Sequence, residues 1–469
     1  MDVQSNNFIA LAEIAIEQGT IPQAVSQGTR MANGRRMVAM SAGSEHGEAI
    51  RQQAAYAKRY ALQHLADLLE EAEERLTENG FTVLWAETAE EARQHVLAIA
   101  QRHHITRVAK SKSMVTEEIA LNDALIEAQI EVVETDLGEY LLQINNEAPS
   151  HIVIPVIHKS KAEVRALMQD KMGMPYIEDA SEMVAFARQR MRQTFLEAEM
   201  GITGGNFVIA ETGSLCLATN EGNGRMVTTL PRVQVSLIGI EKIVATVEDY
   251  ATLAQVLPRS GTGQNLTVYT NILNGRSVDG GAEHQYLIFV DNGRSRIYAD
   301  SRYTESLACL RCGACLNTCP VYRSTGGHAY GWVYGGPIGA VVSPLLKGLD
   351  QTTPLPNASS LCGSCKEVCP VDIDIPRMLL DLRHDIITQN HGEFLISASM
   401  KVWEQVNRSP QLFELGGKMA QLGLQMGADE WVPNPLGDWK AYRDFPGFAP
   451  QSFRAQWRKH QKEKKHEQQ

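Results

Sequence analysis

Seven of the chain's eight cysteines fall into two runs, Cys309-Leu-Arg-Cys312-Gly-Ala-Cys315-Leu-Asn-Thr-Cys319-Pro320 and Cys362-Gly-Ser-Cys365-Lys-Glu-Val-Cys369-Pro370. Two-residue gaps let three thiolates wrap one short turn around an inorganic core. A fourth cysteine, displaced by three residues and followed by proline, points away down the chain to a second core. The spacing therefore predicts two iron-sulfur clusters of the 4Fe-4S type. Cys309, Cys312 and Cys315 would share one with Cys369; Cys362 and Cys365 would share the other with Cys319. Counting back from Cys362 in the same pattern puts Ser359 where the second cluster's remaining thiolate would stand. A hard alkoxide is a poorer partner for this chemistry than a thiolate, so a labile corner is expected there. Three outcomes follow: Ser359 or a more distant group binds the fourth iron, that iron stays open, or it is lost to leave a 3Fe-4S core. Zinc would ask for two paired Cys-x-x-Cys knuckles, which these runs fit poorly. Cys216 stands alone in an apolar strand-like segment and reads as a core residue.

Iron-sulfur centres move single electrons, so electron transfer is the expected class of work. The alternative is an enzyme whose open iron acts as a Lewis acid on a small hydroxy acid. The rest of the composition narrows the field. At 469 residues the chain exceeds one hydrophobic core, and 43% hydrophobic with 21% charged residues is an ordinary globular balance. A formal charge of −11 argues against a nucleic-acid partner. No run of about 18 apolar residues occurs and no leader peptide is legible, which predicts a cytoplasmic protein without a transmembrane segment and leaves peripheral membrane contact open. Clustered cysteines in a reducing compartment read as metal ligands, not disulfides. No Gly-x-Gly-x-x-Gly follows a strand and no Walker loop occurs, so flavin or nicotinamide binding has no support.

Those cysteines must be carried by some architecture. Residues 1–80 have a helical pattern, with Leu62, Leu65, Leu68 and Leu69 on one face, and read as an N-terminal helical arm. Over 81–299, β-rich runs (Phe81–Glu87, Arg107–Ser113, Ile130–Asp136, His151–Ile157, Phe207–Thr219, Val233–Ile240, Leu266–Ile272, Tyr286–Asp291) alternate with helical stretches, predicting an α/β domain with a mostly parallel sheet. Gly201 to Arg225 breaks the rhythm and reads as antiparallel hairpins. Residues 300–390 would form the mainly helical two-cluster domain. Residues 391–469 would form a C-terminal helical region ending in a basic, frayed tail from Arg454. A stripe of Leu412, Leu415, Met419, Leu422 and Met426 reads as core, or as a face for a partner.

Several strings in the α/β region carry their own chemistry: Lys110-Ser-Lys-Ser-Met114 with Thr116-Glu-Glu118, Glu134-Thr-Asp-Leu-Gly-Glu139, Gly201-Ile-Thr-Gly204 with Asn206, Ala210-Glu-Thr-Gly-Ser214, Asn220-Glu-Gly-Asn223 with Arg225, and Asp291-Asn-Gly-Arg294. Lys110 and Lys112 close an apparent strand, where open α/β sheets gather ligands. With Asn206, Asn223 and Arg225 they form a candidate site for a carboxylate or phosphate; solvated or helix-capping roles are the alternative. Glu211 could serve as a nucleophile, as carboxylates do in coenzyme A transfer, or could bond loop amides. His151 and His158 flank an apolar strand, where a hydrogen-bonded structural role is favoured over proton transfer.

In their order along the chain these strings resemble the LUD domain. Together with the cysteine runs, Gly327-His-Ala-Tyr-Gly331 and Gly336-Pro-Ile-Gly-Ala340, they resemble the lactate-utilisation protein B family over residues 40 to 450. The resemblance implies a fold akin to the NagB/RpiA/CoA transferase group, followed by a ferredoxin-like two-cluster domain. It also implies a role in oxidising L-lactate to pyruvate with two partner subunits, and it leaves an acyl or CoA-type transferase activity of the LUD domain as an alternative.

Overall fold

The computed structural model describes residues 3–41, 44–275, 280–389, 391, 394–425, 449 and 451–467. The chain divides into two compact units, Met1–Ile386 and Ile387–Gln469.

Among the described residues of the first unit there are ten strands: β1 (Thr82–Ala86), β2 (Arg107–Lys110), β3 (Glu131–Glu134), β4 (Met200–Thr203), β5 (Phe207–Ile209), β6 (Ser214–Thr219), β7 (Val233–Gly239), β8 (Ile243–Val244), β9 (Tyr269–Leu273) and β10 (His284–Val290). Six form a sheet in the order β1-β10-β7-β4-β2-β3, every pair parallel. This is the mixed α/β architecture expected. The central strand β7 is buried along its whole length, as a strand covered on both faces must be. The other four form a small sheet, β8-β5-β6-β9, in which β6 runs antiparallel to β5 and to β9.

Two local expectations differ from the fold. Within Gly201–Arg225 only β5 and β6 make a hairpin; β4 sits in the parallel sheet, and Asn223–Thr229 is a helix packed on it. Gly201 in β4 leaves no room for a side chain, because a Cβ on it would lie 1.9 Å from the carbonyl oxygen of Val227. The apolar run His151–Ile157 is no strand. The ring of His151 accepts the N–H groups of Val153 (3.0 Å) and Ile154 (3.1 Å) at Nδ1, folding the segment into turns.

Helices Phe8–Gln18, Thr20–Ser41, Ser44–Gln63 and Leu65–Glu78 precede the sheet. Phe8, Val25, Ile50 and Leu62 share one core with Cys312, Cys319, Cys365 and Cys369, and with Tyr250 and Leu253 from the helix Val247–Gly261. Leu65, Leu68 and Leu69 of the predicted face are buried in a second core against β5, β6 and β10. From residue 300 to 386 the described chain is helices and 3-10 turns without a strand.

In the second unit, Phe394–Arg408 and Pro410–Gln425 are helices. Leu412, Leu415, Met419 and Leu422 are exposed there instead of forming a core stripe; Met426 lies outside the described residues. The tail read as frayed forms the helix Phe453–Glu467, started by the Ser452 hydroxyl accepting the Ala455 N–H and supported by a Lys459–Glu463 pair. No described helix is long and apolar enough to cross a membrane.

Candidate functional site

The two cysteine loops have the same backbone. In the first, Arg311 and Gly313 flank Cys312 with φ of 59° and 76°; in the second, Leu361 and Gly363 flank Cys362 with φ of 54° and 84°. Left-handed residues on both sides of a cysteine turn backbone N–H groups inward, and one of them reaches sulfur: the Arg311 N–H donates to Cys309 Sγ at 3.4 Å. The corresponding N–H of Leu361 donates to Ser359 Oγ at 3.1 Å. Ser359 thus takes the place in its loop that Cys309 takes in the first. The Tyr322 N–H donates to Cys319 Sγ at 3.5 Å, at the start of the helix Pro320–Thr325.

Cys309, Cys312, Cys315 and Cys369 border one small cavity, closed by Ile338, Val371 and Ile373. The fold therefore brings Cys369, more than fifty residues away in sequence, to the first three thiols. Cys319, Cys362 and Cys365 interact electrostatically with one another, and Cys315 of the first group feels Cys365 of the second. All eight cysteines are free thiols. Burial pushes Cys312 up to about 12, Cys365 to about 12 and Cys369 to about 11, and raises Cys315 and Cys319 as well. Thiols this deeply buried ionise when a metal replaces the proton. Cys362 is exposed and is lowered, chiefly by the Ser364 N–H. Among the described residues no three Cys, His, Asp or Glu side chains converge as the ligands of one ion do. Thiols ringing a cavity, with N–H groups aimed at sulfur, are the donor set an iron-sulfur core needs.

A second cavity, of about 300 Å³, lies beyond the carboxyl ends of β2, β3 and β4, where open parallel sheets hold ligands. Ser111 to Val115, Asp136, Gly204 to Asn206 and the segment Leu217–Glu221 contribute to it. Of the residues proposed from sequence for an anion, Lys112, Asn206 and Asn223 line this cavity; Lys110 and Arg225 are outside its lining. Lys110 is buried beside Glu134 at 2.6 Å, and although burial works against its charge, Glu134 and Glu117 outweigh it and raise its pKa. Arg225 is exposed on the helix Asn223–Thr229. Asn206 also closes the hairpin, its Oδ1 accepting the Ala218 N–H at 2.8 Å.

Lys112 pairs with Glu139 at 3.6 Å. Burial, with Glu134 and Asp136 adding to it, pushes Glu139 up to about 7. Beside the cavity, Arg294 of the Asp291-Asn-Gly-Arg294 string is fully buried, donating to both oxygens of Glu118 (2.9 and 2.8 Å) and to Glu241 (2.7 Å). The Tyr334 hydroxyl completes Glu118 at 2.6 Å. Burial opposes the charge of Glu241, but Arg294 and Lys242 hold it down at about 2.

The other candidates have structural partners. Glu211 is exposed and accepts the Val247 N–H at 3.0 Å. Burial lowers His151 to about 3 and His158 to about 4, His158 facing Glu147 at 3.2 Å. Cys216 is a buried core residue, raised by burial.

Several participants carry no signal of their own in the sequence. Lys242 donates to the Cys309 carbonyl at 2.6 Å, and Arg51, from the N-terminal helices, to the Cys369 carbonyl at 3.1 Å. Arg311 and Cys312 line the larger cavity as well as the smaller one. Of the cations among these, only Arg311 had a signal available, its place inside a cysteine loop; Cys312 is itself a thiol of the motif.

Three family models match successive parts of the chain. The LUD domain matches residues 69–295, the 4Fe-4S dicluster domain residues 305–373, and the C-terminal family of lactate utilisation protein B residues 387–462. Lactate utilization protein B of Bacillus cytotoxicus is 43% identical over 427 residues, 89% of this chain and 88% of that one. The Oceanobacillus iheyensis protein of the same name is 41% identical over 454 residues, 94% and 95% of the two chains. The uncharacterized electron transport protein YkgF of Escherichia coli is 42% identical over 427 residues, 90% of each. A DUF162 family crystal structure from Deinococcus radiodurans aligns with 48% of this chain and 98% of its own at 16% identity, with a TM-score of 0.29. With a LUD domain, a 4Fe-4S dicluster domain and relatives matched over nearly their full length, the chain belongs to the lactate utilisation protein B family.

Proposed function

We propose that this protein is the iron-sulfur electron-transfer subunit of a cytosolic complex that oxidises L-lactate to pyruvate with two partner subunits. The observation that carries this reading is the pairing of the thiol sets: four thiols around one cavity, and three more in electrostatic reach of one another, of which Cys319 and Cys365 share the buried core of the first set while Cys362 is exposed. Cys309, Cys312, Cys315 and Cys369 hold one 4Fe-4S cluster. Cys319, Cys362 and Cys365 hold the second, with Ser359 at its fourth position and a labile iron there. The relatives' names, lactate utilization and electron transport, support the assignment.

Each bound cluster would accept and pass one electron. L-lactate gives up two electrons and two protons in becoming pyruvate, so a pair of one-electron centres matches the reaction in number. The chain's own part is to hold the thiolates, to exclude water from Cys312, Cys319, Cys365 and Cys369, and to tune the sulfurs through the Arg311 and Tyr322 N–H groups. Arg36 and Arg51 add positive charge near the first set, the former donating to the Val368 carbonyl at 3.2 Å.

Anaerobic purification, iron and sulfide counting, and electron paramagnetic resonance before and after dithionite test the proposal. Two reducible iron-sulfur signals are expected, reoxidised when partner subunits and an acceptor are added. Clusters that never take an electron would sink it and leave them as a scaffold.

A further inference from the structure

The two thiol sets differ in their access to solvent. In the first, Cys312 and Cys369 are buried and Cys309 and Cys315 half-buried; in the second, Cys362 is exposed, in a loop with exposed Ser360 and half-buried Ser359. Electron transfer between proteins falls off steeply with separation, so the set with an exposed ligand is the one a partner can approach.

The helix Thr20–Ser41 runs beside that set. The short helix Ala314–Thr318 packs both on it and on Ser364–Glu367, the turn that follows Cys362. Arg36 donates to the Val368 carbonyl at 3.2 Å, and Arg323, four residues after Cys319, donates to Thr29 Oγ1 at 3.3 Å. Cys319 in turn feels the charges of Arg323 and Cys362, and Arg323 that of Arg30. On its outward side the helix presents Arg30 and Arg35 with three apolar side chains, Met31, Met37 and Val38, that are 54%, 60% and 70% exposed. Apolar contact area framed by charge is the composition of a protein docking surface, and methionine adapts to partners of uneven shape.

The charge on this face has one sign. Acidic residues outnumber basic ones by 55 to 44 in the chain, yet the helix Thr20–Ser41 has three arginines and no carboxylate, and from Ser306 to Lys366 the only acidic residue is Asp350. Glu367, which acts on Arg36, begins the acidic sequence beyond it. A basic patch on a protein of net charge −11 selects an acidic partner and repels a basic one.

We propose that electrons leave this protein through the second cluster, to a one-electron carrier protein whose acidic face docks over the Cys362 loop and the outward side of the helix Thr20–Ser41. One electron passes, the cluster is oxidised and the carrier reduced, and no bond or proton moves. The proposal rests on the electron-transfer reading and adds to it the port and the charge of the acceptor.

The test uses the cluster-loaded full chain, purified anaerobically, with cytochrome b5 as an acidic carrier, cytochrome c as a basic one and benzoquinone as an uncharged small acceptor. Stopped-flow reoxidation of the dithionite-reduced protein by cytochrome b5 should slow severalfold between about 20 mM and about 300 mM salt, and reoxidation by cytochrome c should not. The double variant Arg30→Glu, Arg35→Glu should slow cytochrome b5 about tenfold at low salt and weaken its binding in isothermal titration of the oxidised proteins by a similar factor. Its iron content and its rate with benzoquinone should stay as in the wild type. Arg188→Glu with Arg190→Glu, an equal charge change on exposed residues of the helix Ala180–Glu197, should leave both readouts unchanged. Equal losses from the two double variants, no loss from the first, or a cytochrome b5 rate that rises with salt overturns the port while reduction and benzoquinone turnover leave electron transfer standing. Binding of phosphatidylglycerol vesicles, lost in the Arg30→Glu, Arg35→Glu variant, without binding of cytochrome b5 assigns the face to lipid and overturns the carrier. Clusters that never reduce overturn the electron-transfer reading and the port with it.

Discussion

Ser359 is the residue at which the two cysteine loops part company. Its hydroxyl accepts the Leu361 N–H just as Cys309 sulfur accepts that of Arg311, so a thiol could replace it without rebuilding the loop. Ser359→Cys should give the second cluster four thiolates. Mild oxidation of the wild-type protein is expected to release one iron and produce the signal of an oxidised three-iron cluster; the variant should suppress that signal severalfold. An equal signal in both would mean that the corner is not set by Ser359. Glu139 makes a different residue-scale prediction. Burial and the nearby Glu134 and Asp136 raise it from an ordinary 4.5 to about 7, against the pull of Lys112 and Lys110; Glu117 faces it as well. The folded state then holds this proton more tightly than the unfolded state, so stability declines as pH rises from about 4.5 to about 7 and the penalty is complete above that. Glu139→Gln should therefore stabilise the protein by on the order of 2 kcal/mol at pH 8 and by little near pH 5, read from urea midpoints. A gain of the same size at both pH values would contradict the assignment.

Between elements, the decisive joint is Arg294. Its guanidinium ties the loop after β10 to Glu118 of the helix Met114–Glu118 and to Glu241 just after β7, and Tyr334 of the cluster segment closes on the same carboxylate. One arginine therefore holds the end of the parallel sheet against the segment that carries the cysteines. Arg294→Met would take the largest source of positive charge from two buried carboxylates, at a cost of about 3–5 kcal/mol. The urea midpoint should fall accordingly, and adding Glu118→Gln and Glu241→Gln should recover part of the loss. No recovery would show that the arginine's packing, not its charge, is what matters. The sequence allowed the strands here to be read by their apolar alternation, and Lys112, Asn206 and Asn223 by their position after strands. It did not reveal that Lys110, two residues from Lys112, turns the other way into a buried pair with Glu134, nor that Gly201 lies in a central strand. Those outcomes depend on what packs across the sheet, and periodicity along one segment contains no such information.

At the scale of the molecule, the cysteine spacing anticipated which thiols the fold brings together, Cys369 beside Cys309, Cys312 and Cys315, because the gaps within each run act locally. What surrounds them was not legible. Phe8, Val25 and Ile50 from helices more than 250 residues upstream share a core with Cys312, Cys319, Cys365 and Cys369, and Arg51 reaches the Cys369 carbonyl. The cluster segment is thus packed inside the Met1–Ile386 unit and not carried as an appendage. If that packing is cooperative, the iron stabilises the entire unit, since metal bound only by the folded form adds its binding free energy to folding. Anaerobic chelation should then lower a single calorimetric transition by on the order of 5–10 °C, without uncovering a separate one. Limited proteolysis of the chelated protein should cut both the cysteine loops and the helices Phe8–Gln18 and Thr20–Ser41 faster than in the loaded form, because losing the core on one side exposes the other. A protease-resistant fragment spanning 300 to 386, or a sheet domain that melts at the same temperature with and without iron, would show instead that the clusters fold on their own.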